Sequence, residues 1–239
     1  MPAPKSRPEN EVLDEMQRFL HAAVHDLRAA QRRTGIAAEL LLQAGLQVDD
    51  KDEERTALAA QLLQGMAKTE ELLAGIGRYA TALTPASYKM HSFPSLGAVH
   101  FALAHLDREI RETGATVSVR DLPEITGDRD RLAELFEHLI GNALKFRGPD
   151  PPAVEIEAHR MPGGWLFSVK DNGIGIAPKY RDRLFIPFRR LHGTDVPGAG
   201  LGLAICGKIV AAHGGRIWIE EGDPSGVTFL FILPAADGN

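Results

Sequence analysis

This chain of 239 residues has a single cysteine, no long apolar run and no excess of positive charge, and each of these facts excludes a class of protein. The one cysteine, Cys206, cannot form an internal disulfide or a cysteine-rich zinc site, and it fits a reducing cytoplasm. No apolar run approaches the roughly 18–20 residues that a helix needs to span a bilayer. With 27 Lys and Arg against 32 Asp and Glu, no basic field is expected to attract nucleic acid. The sequence therefore predicts a globular cytoplasmic protein with no membrane span and no nucleic-acid partner.

Residues 1–10 hold three prolines and no apolar segment. We expect them to form a flexible leader, because a secretory signal needs an apolar core. No segment of the chain resembles a membrane sensor. Any stimulus is therefore expected to arrive through another chain or through a segment outside this sequence.

Proline is also absent from residues 11–84, and Pro85 follows immediately. Two apolar seams in this stretch alternate spacings of three and four residues, which is the heptad pattern of packed helices. A break near residues 45–52 separates them, so we predict a helical hairpin over 11–84. The two seams consist of Leu13, Met16, Leu20, Ala23, Leu27, Ala30, Thr34, Ala37 and Leu41, and of Leu58, Leu62, Gly65, Thr69, Leu72, Ile76, Tyr79 and Leu83.

Seams of this length in only two helices need a partner surface. We expect two copies of the chain to pair their hairpins in a dimeric four-helix bundle. The alternative is a hairpin that packs on the second domain of its own chain.

After a linker over 85–90, residues 91–239 change to a mixed pattern. Helices and antiparallel strands together predict an α+β domain in which helices cover one face of a sheet. Residues Lys179–Val196 are expected to be irregular. The predicted helices are Pro94–Glu112, Asp128–Phe146 with Asp128 as N-cap, and Leu201–Ala212; the predicted strands are Thr116–Arg120, Val154–Ala158, Trp165–Lys170, Arg216–Glu220 and Gly226–Leu233.

One candidate site lies on the first predicted helix, where His25 falls opposite the seam and faces solvent. An exposed imidazole can act as a nucleophile, and the neighbouring Asp26 could fix its tautomer and accept its proton. The alternative is an ordinary solvated helix face. His21 lies four residues before His25, which is also a metal-ligand spacing, but no third ligand is evident.

Three segments of the second domain carry further candidates. Asp171 ends a strand and enters the glycine turn DNGIGI, where glycines permit close approach of the backbone to a ligand. Residues 198–203 lead directly into a helix, whose N-terminal N–H groups can bind phosphate. Asn142, Lys145 and Phe146 share one helix face and offer an oxygen for Mg²⁺, a charge for phosphate and an aromatic wall. Taken singly, each segment could be an ordinary turn or helix face.

Taken together and in this order, these segments resemble the core of a sensor histidine kinase, most closely that of the phytochrome-like subgroup. The resemblance runs from about residue 15 to residue 234. FLHAAVHDLR is similar to the phosphoacceptor box, HLIGNALKFR to the asparagine box and DNGIGI to the first glycine box. LFIPFRRLHG resembles the phenylalanine segment, and GAGLGLAICGKIVAAHGGRIWIE resembles the second glycine box and the segment after it.

The resemblance implies a helical dimerisation and phosphotransfer hairpin followed by a Bergerat-type α/β sandwich that binds ATP, as in gyrase-type ATPases. It implies that His25 is phosphorylated with Asp26 as its base, and that Asn142 holds Mg²⁺ against the ATP phosphates. Asp171 would accept a hydrogen bond from the adenine amino group. The implied partner is the receiver domain of a response regulator. The implied ATP-binding residues are Asn142, Lys145, Phe146, Asp171, Gly173, Gly175, Ile176, Arg189, Gly200, Leu201, Gly202 and Leu203, with Phe185 and Phe188 in the lid segment.

Three positions depart from the pattern of the family. Ala29 stands where many members have Thr or Asn, so we predict weak dephosphorylation of the partner. Ala30 stands where a proline often kinks the helix. His138 replaces the first asparagine of the asparagine box, so we expect impaired or altered turnover.

Three functions therefore compete. The first is an active kinase that transfers the γ-phosphoryl group of ATP to His25 and then to an aspartate of a response regulator. The second is a degenerate kinase that serves as a nucleotide-binding or dimerisation scaffold. The third is a gyrase-type ATPase, which would use a Glu base where His138 stands.

Overall fold

The computed structural model describes residues 19, 23–24, 27–29, 31–41, 52–84, 88–189, 199–221 and 226–235. The chain divides into two compact units, Met1–Gly77 and Arg78–Asn239. Among the described residues, no helix combines the length and the apolar character that crossing a membrane would require.

The described residues of the first unit are helical. Helix α1 covers residues 31–41, and residues 19, 23–24 and 27–29 are also helical. Helix α2, Asp52–Ala82, extends past Gly77 into the second unit and ends two residues before the predicted limit at Thr84. Every described residue of the two predicted seams is buried or half-buried, with Ala37 and Leu72 each only 3% exposed. The heptad pattern therefore identified the packed faces of these helices correctly.

A second set of apolar side chains in this unit remains exposed. Leu63 on α2 is 67% exposed, and the others are Ile36, Leu40, Met66 and Leu73. The two helices approach closely at Gly65, where an added Cβ would collide with the hydroxyl oxygen of Thr34. The hairpin thus packs one apolar face and leaves another uncovered.

The second unit is an α+β fold, as expected. Its elements, in chain order, are β1 His91–Pro94, α3 Leu96–His105, α4 Asp107–Thr113, β2 Thr116–Arg120, β3 Glu124–Gly127, α5 Arg129–Lys145, β4 Ala153–Met161, β5 Gly164–Asp171, a 3-10 helix Pro178–Arg183, α6 Gly202–Ala212, β6 Arg216–Glu221 and β7 Val227–Pro234.

The main sheet has the strand order β2-β4-β5-β7-β6. Strand β2 pairs in parallel with β4, and the other neighbours are antiparallel. Helix α5 packs its apolar face on this sheet, where the ring of Phe136 meets Phe167 and Phe231 edge to face with centroids 6.3 and 5.8 Å apart. These three side chains are at most 1% exposed and form the centre of the core.

Several predicted elements need correction. The helix expected over Pro94–Glu112 is two helices that break at Leu106, and Pro94 instead ends β1. Strands β1 and β3, which the pattern did not reveal, pair with each other in a separate two-stranded sheet. The segment expected to be irregular contains the 3-10 helix, which begins at Pro178 because proline suits the first turn of a helix.

Three further predictions for this unit are confirmed. Asp128 caps α5 by accepting hydrogen bonds from the N–H groups of Asp130 and Arg131. Strands β4 and β5 form the expected hairpin around Pro162 and Gly163, since Met161 pairs with Gly164. Strands β6 and β7 form the second hairpin.

Candidate functional site

The last turns of α5 carry the first part of the candidate site. Asn142 is half-buried and Lys145 is exposed one turn later. Phe146 ends the helix, and its N–H donates to the carbonyl of Asn142 at 2.9 Å. The helix begins at the Asp128 cap and packs its apolar face on the sheet, so its position is fixed along its whole length.

The glycine turn after β5 carries the second part. Oδ1 of Asp171 accepts hydrogen bonds from the N–H of Gly173 at 2.9 Å and from the N–H of Val227 at 3.1 Å. Burial raises the pKa of Asp171, although these two hydrogen bonds oppose the shift. Among the described residues, both bonds use Oδ1, which leaves Oδ2 to accept from a ligand.

One backbone hydrogen bond joins these two parts. The N–H of Ile174 donates to the carbonyl of Phe146 at 3.0 Å. The glycines are needed here, because a Cβ on Gly173 would meet Oδ1 of Asp171 at 3.0 Å, and a Cβ on Gly175 would meet the carbonyl of Gly226 at 3.3 Å. Gly175 also has a positive φ of 74°. The turn therefore lies directly against the end of α5.

The start of α6 forms the third part. Gly200 has a positive φ of 72°, and its carbonyl accepts from the N–H of Phe188 at 2.9 Å. Leu201 is only 2% exposed, while Gly202 and Leu203 are half-buried. A Cβ on Gly202 would lie 3.2 Å from Nδ1 of His138 on α5, so the beginning of α6 sits beside the same helix face.

His138 belongs to a buried polar group on α5. Its Nε2 lies 3.9 Å from Oε1 of Glu134, and the other oxygen of Glu134 accepts from Nη1 of Arg131 at 2.8 Å. Burial raises the pKa of Glu134, against the opposing charge of Arg131. Burial, together with the charges of Arg78 and Lys145, lowers the pKa of His138 to about 4. His138 is therefore a neutral imidazole at pH 7.

A second buried group lies at the opposite ends of α5 and α6. The N–H of Asp128 donates to Nε2 of His213 at 3.0 Å, and Nδ1 of His213 donates to the carbonyl of Ile209 at 2.7 Å. Oδ2 of Asp128 accepts from the N–H of Lys89 at 2.7 Å, and the ring of Tyr88 lies 5.6 Å from the ring of His213. The segment that follows α2 is thereby attached to both helices.

The charges of this second group are set by its surroundings. Burial lowers the pKa of His213, while its bond to Ile209 and the charge of Asp128 oppose the shift. Burial favours a higher pKa for Asp128, but its three backbone hydrogen bonds and the charge of Arg131 hold the pKa below its usual value. Burial raises the pKa of Tyr88 to about 12.

The structure brings together most of the residues predicted for the site. Asn142, Phe146 and the turn from Asp171 to Ile176 meet at the end of α5, and residues 200–203 lie beside the same helix. Arg189, the last described residue of the phenylalanine segment, is exposed, and its N–H donates to the nearby Ile186 carbonyl at 3.3 Å. His25, Asp26 and Ala30 lie outside the described residues, so their predicted roles stay predictions.

Sequence patterns missed some residues that shape the site. Val227 fixes the Asp171 carboxylate from 56 positions away, and no local pattern signals that contact. Glu134 could have been found, because it lies four residues before His138 on one helix face. Its burial depends on packing, and composition alone does not reveal it.

These residues fit the triphosphate of a nucleotide and its metal ion. The crowded glycines leave backbone N–H groups at the turn and at the start of α6 without side chains in front of them. The Asp171 carboxylate suits an exocyclic amine, and the amide oxygen of Asn142 suits a hard cation such as Mg²⁺. The His138 and Glu134 atoms that face each other are buried and, within the described part of the chain, have no hydrogen-bond partner.

Comparison with known proteins agrees with this arrangement. Residues 127–237 match the family described as histidine kinase-, DNA gyrase B-, and HSP90-like ATPase. Cyanobacterial phytochrome A of Nostoc sp. is 36% identical over 222 residues, which cover 92% of this chain and 28% of that protein. The adaptive-response sensory kinase SasA of Prochlorococcus marinus is 30% identical over 242 residues, covering 97% of this chain and 61% of that protein.

A solved structure shows the same fold. Full-length ShkA in complex with AMPPNP matches with a TM-score of 0.59 and 25% identity, covering 91% of this chain and 47% of ShkA. The chain spans less than two thirds of the length of each of these relatives. It nevertheless aligns along almost its whole length, and the likeness to phytochromes expected from its motifs is confirmed. Residues 127–237 therefore match the histidine kinase-, DNA gyrase B-, and HSP90-like ATPase family, and the chain as a whole is similar to sensor histidine kinases.

Proposed function

We propose that the chain is an active histidine kinase that transfers the γ-phosphoryl group of ATP to His25 and then to an aspartate of a response regulator. The observation that carries this proposal is the joining of the Asp171 turn to the end of α5 through the bond from Ile174 to Phe146. This bond brings the Asp171 carboxylate, an acceptor suited to the adenine amino group, close to the helix face that carries Asn142. The AMPPNP bound by ShkA supports ATP as the nucleotide.

Each residue then has a role that its chemistry allows. Oδ2 of Asp171 accepts from the adenine amino group, and Lys145 lies close to the phosphates. Asn142 would hold Mg²⁺, which supplies charge neutralisation for the phosphates when it is bound. Asp26 orients His25 and takes its proton, while Nε2 or Nδ1 of His25 attacks the γ-phosphorus.

We also propose that the active form is a homodimer. Exposed apolar side chains of α1 and α2 form a surface that a single chain leaves open to water, and Leu63 and Leu73 belong to this surface. Pairing two hairpins would bury this surface in a four-helix bundle. Residues 11–84 would then be the dimerisation and phosphotransfer domain, 85–90 the linker and 91–239 the ATP-binding domain.

The test is incubation of the purified chain with Mg²⁺ and ATP labelled at the γ-phosphate. We expect a label that is lost in acid, survives base and disappears in His25→Ala. His21→Ala, which removes a histidine four positions earlier in the sequence, is the matched control and should keep the label. A label that persists in His25→Ala would place the acceptor elsewhere. Nucleotide binding without any label would favour the scaffold.

A further inference from the structure

The buried group around His213 connects three segments of the second unit through hydrogen bonds of ordinary length. Nε2 of His213, at the end of α6, accepts from the backbone N–H of Asp128 at 3.0 Å. Oδ2 of Asp128 accepts from the backbone N–H of Lys89 at 2.7 Å, while its Oδ1 caps α5. Lys89 belongs to the segment that follows α2. A change at His213 can therefore reach this segment through a single residue, Asp128.

Two hydrogen bonds fix the protonation of the His213 ring. A carbonyl oxygen only accepts, so Nδ1 carries the hydrogen in its 2.7 Å contact with the carbonyl of Ile209. A backbone N–H only donates, so Nε2 must carry a lone pair in order to accept from Asp128. The ring therefore fits this place as the neutral imidazole with its hydrogen on Nδ1.

Protonation of Nε2 conflicts with this arrangement. The added N–H would point at the N–H of Asp128, and both donors would lack an acceptor in a buried place. The ring packs tightly here, since His213 is 6% exposed and a Cβ on Gly127 would lie 3.0 Å from Nε2. A charged ring must therefore take another acceptor close by. The carboxylate of Asp128, whose charge acts on His213, is such an acceptor.

The oxygens of the Asp128 carboxylate are already in use. Oδ1 accepts from the N–H groups of Asp130 and Arg131 at 3.0 Å each, and these two local bonds hold the start of α5. Oδ2 accepts from Lys89, which lies 39 positions away in the sequence. A bond from charged His213 to Oδ2 would replace the bond to Lys89 and leave the two cap bonds in place.

The charged groups around this cluster do not reproduce the effect of His213. Backbone hydrogen bonds and the charge of Arg131 hold the pKa of Asp128 below its usual value, so its carboxylate stays ionised in weak acid. The ring of Tyr88 lies 5.6 Å from His213, and burial raises the pKa of Tyr88 to about 12, so its hydroxyl stays neutral. The charge of Glu134 acts on Tyr88, whose hydroxyl donates to the carbonyl of Ala82 at 3.4 Å, away from the Lys89 bond.

A second histidine touches the same segment and needs separate treatment. Nδ1 of His91 lies 2.8 Å from the carbonyl of Lys89, and His91 is exposed. Because the carbonyl accepts, Nδ1 of His91 already carries a hydrogen. Protonation of His91 adds a hydrogen to the other ring nitrogen and leaves this contact intact. His91 therefore serves as an internal comparison for His213.

We propose that His213 is a proton-operated latch: the neutral ring keeps Lys89 bound to Asp128, and the charged ring releases the segment after α2 from the start of α5. Burial lowers the pKa of His213 from its usual value of 6.5, so the latch is closed at pH 7 and opens as the pH falls below 6.5. In the proposed domain organisation Lys89 lies in the linker over 85–90, so the latch sets how much of this linker is free. The hydrogen bonds of the latch do not involve the nucleotide site.

The experiment follows the nucleotide-free full chain by nitrogen–proton NMR between about pH 8 and pH 5, a range that spans the titration of histidine. The His213 ring and the backbone amides of Asp128 and Lys89 should change together, with one shared midpoint. Across this transition, exchange of the Lys89 amide hydrogen, corrected for the intrinsic effect of pH, should rise by about tenfold because the released amide loses protection. The amide of Ile174, which donates to Phe146 at the other end of α5, should keep its protection.

Two variants should hold the latch in opposite states. His213→Gln supplies an amide oxygen that accepts from Asp128 but does not titrate, so the Lys89 amide should stay protected at every pH. Asp128→Asn keeps one oxygen for the α5 cap and replaces the other by an N–H₂ group, which cannot accept from Lys89. In that variant the Lys89 amide should exchange rapidly at every pH. The matched control is His91→Gln, which should leave the transition unchanged.

Several outcomes would overturn the latch. A Lys89 amide that stays protected while the His213 ring becomes charged is the most direct, and it requires no variant that must fold. A transition that survives in His213→Gln, or that disappears in His91→Gln, would assign the effect to another group. Simultaneous loss of protection at Ile174 would show general unfolding in acid. None of these measurements uses ATP or His25, so the latch and the proposed function can fail separately.

Discussion

Helices α2 and α5 of this chain place their apolar side chains in contrasting ways. On α5, which is described throughout, eight apolar residues are buried and no large apolar side chain is exposed. On α2, Leu63, Met66 and Leu73 are each more than half exposed although the seam residues of the same helix are covered. Helix α5 therefore completes its packing within one chain, whereas α2 keeps apolar surface exposed, which the proposed dimer would cover. Stability should depend on the first helix and assembly on the second.

The largest effect should come from breaking the α5 core. Phe136→Ala removes a ring that is 1% exposed and contacts Phe167 and Phe231, so it should lower the free energy of unfolding by about 3–5 kcal/mol. Denaturant unfolding followed by circular dichroism measures this change. Leu73→Ala on α2 removes a side chain that is 54% exposed and should have little effect on a monomer. Equal losses of unfolding free energy in the two variants would contradict the contrast between α5 and α2.

The second effect concerns assembly. Leu63→Glu combined with Leu73→Glu places two charges on the exposed face of α2 and should convert a dimer to a monomer in light scattering. Gln64→Glu adds a charge at an exposed position of the same helix that lies outside the apolar face. This control should leave the dimer intact. A double variant that stays dimeric would show that the dimer uses another surface.

The third effect is a dependence of stability on pH. The pKa of His138 is lowered from 6.5 to about 4 by burial and nearby positive charge, so the unfolded chain binds a proton more readily than the folded chain between these values. Stability is therefore retained above pH 6.5 and lost as the pH falls below it, by about 2 kcal/mol at pH 5 from this group. In urea unfolding of the nucleotide-free chain, His138→Asn should reduce the loss of stability that accompanies the fall in pH. An unchanged pH slope would show that His138 does not contribute.

The fourth effect tests the cap at the other end of α5. Asp128→Ala removes the acceptor for the N–H groups of Asp130, Arg131 and Lys89, and should cost about 1–2 kcal/mol. Thermal unfolding measures it. Asp150→Ala, an exposed carboxylate, is the control and should leave the melting temperature unchanged. A similar loss in both variants would argue against a specific cap.

The smallest effect should come from an exposed ion pair. Arg108 and Glu112 lie one turn apart on α4, with Nε of Arg108 2.7 Å from the carboxylate, and both side chains face solvent. Such pairs contribute little to stability because water and salt screen them. Arg108→Gln should therefore unfold at the same urea concentration as the unmodified chain. A clear destabilisation would mean that this helix end does more than its contacts suggest.

Local patterns predicted much of this molecule. The seams of α1 and α2, the Asp128 cap and both hairpins could be identified from spacing, capping chemistry and turn residues that lie close together in sequence. The break at Leu106 and the pairing of β1 with β3 were not predictable in this way. Strand β1 is four residues long and includes Pro94, and its pairing joins residues about thirty positions apart.

The features of the candidate site likewise divide into those that local sequence patterns predicted and those that they did not. Its motif residues were identifiable from the sequence, because their order along the chain resembles that of a known family. Their supports were not, since Val227 reaches Asp171 from another strand and the burial of Glu134 arises only in the folded chain. The motif indicates which groups are proposed to contact a ligand, and the tertiary packing decides their protonation and orientation.

The attachment of Asp128 has a consequence for how this protein can evolve. One residue accepts from the start of α5, accepts from Lys89 after α2 and donates to His213 at the end of α6. Replacing His213 by an apolar residue would leave a buried N–H of Asp128 without an acceptor, and replacing Asp128 would release three donors at once. The two constraints are separate, because the N–H that donates to His213 belongs to the backbone and is present with any residue but proline at position 128. Across related chains we therefore expect an acceptor at position 213 and, independently of it, a side-chain acceptor at position 128. An alignment of relatives in which either acceptor is commonly absent would show that the three segments can be held in another way.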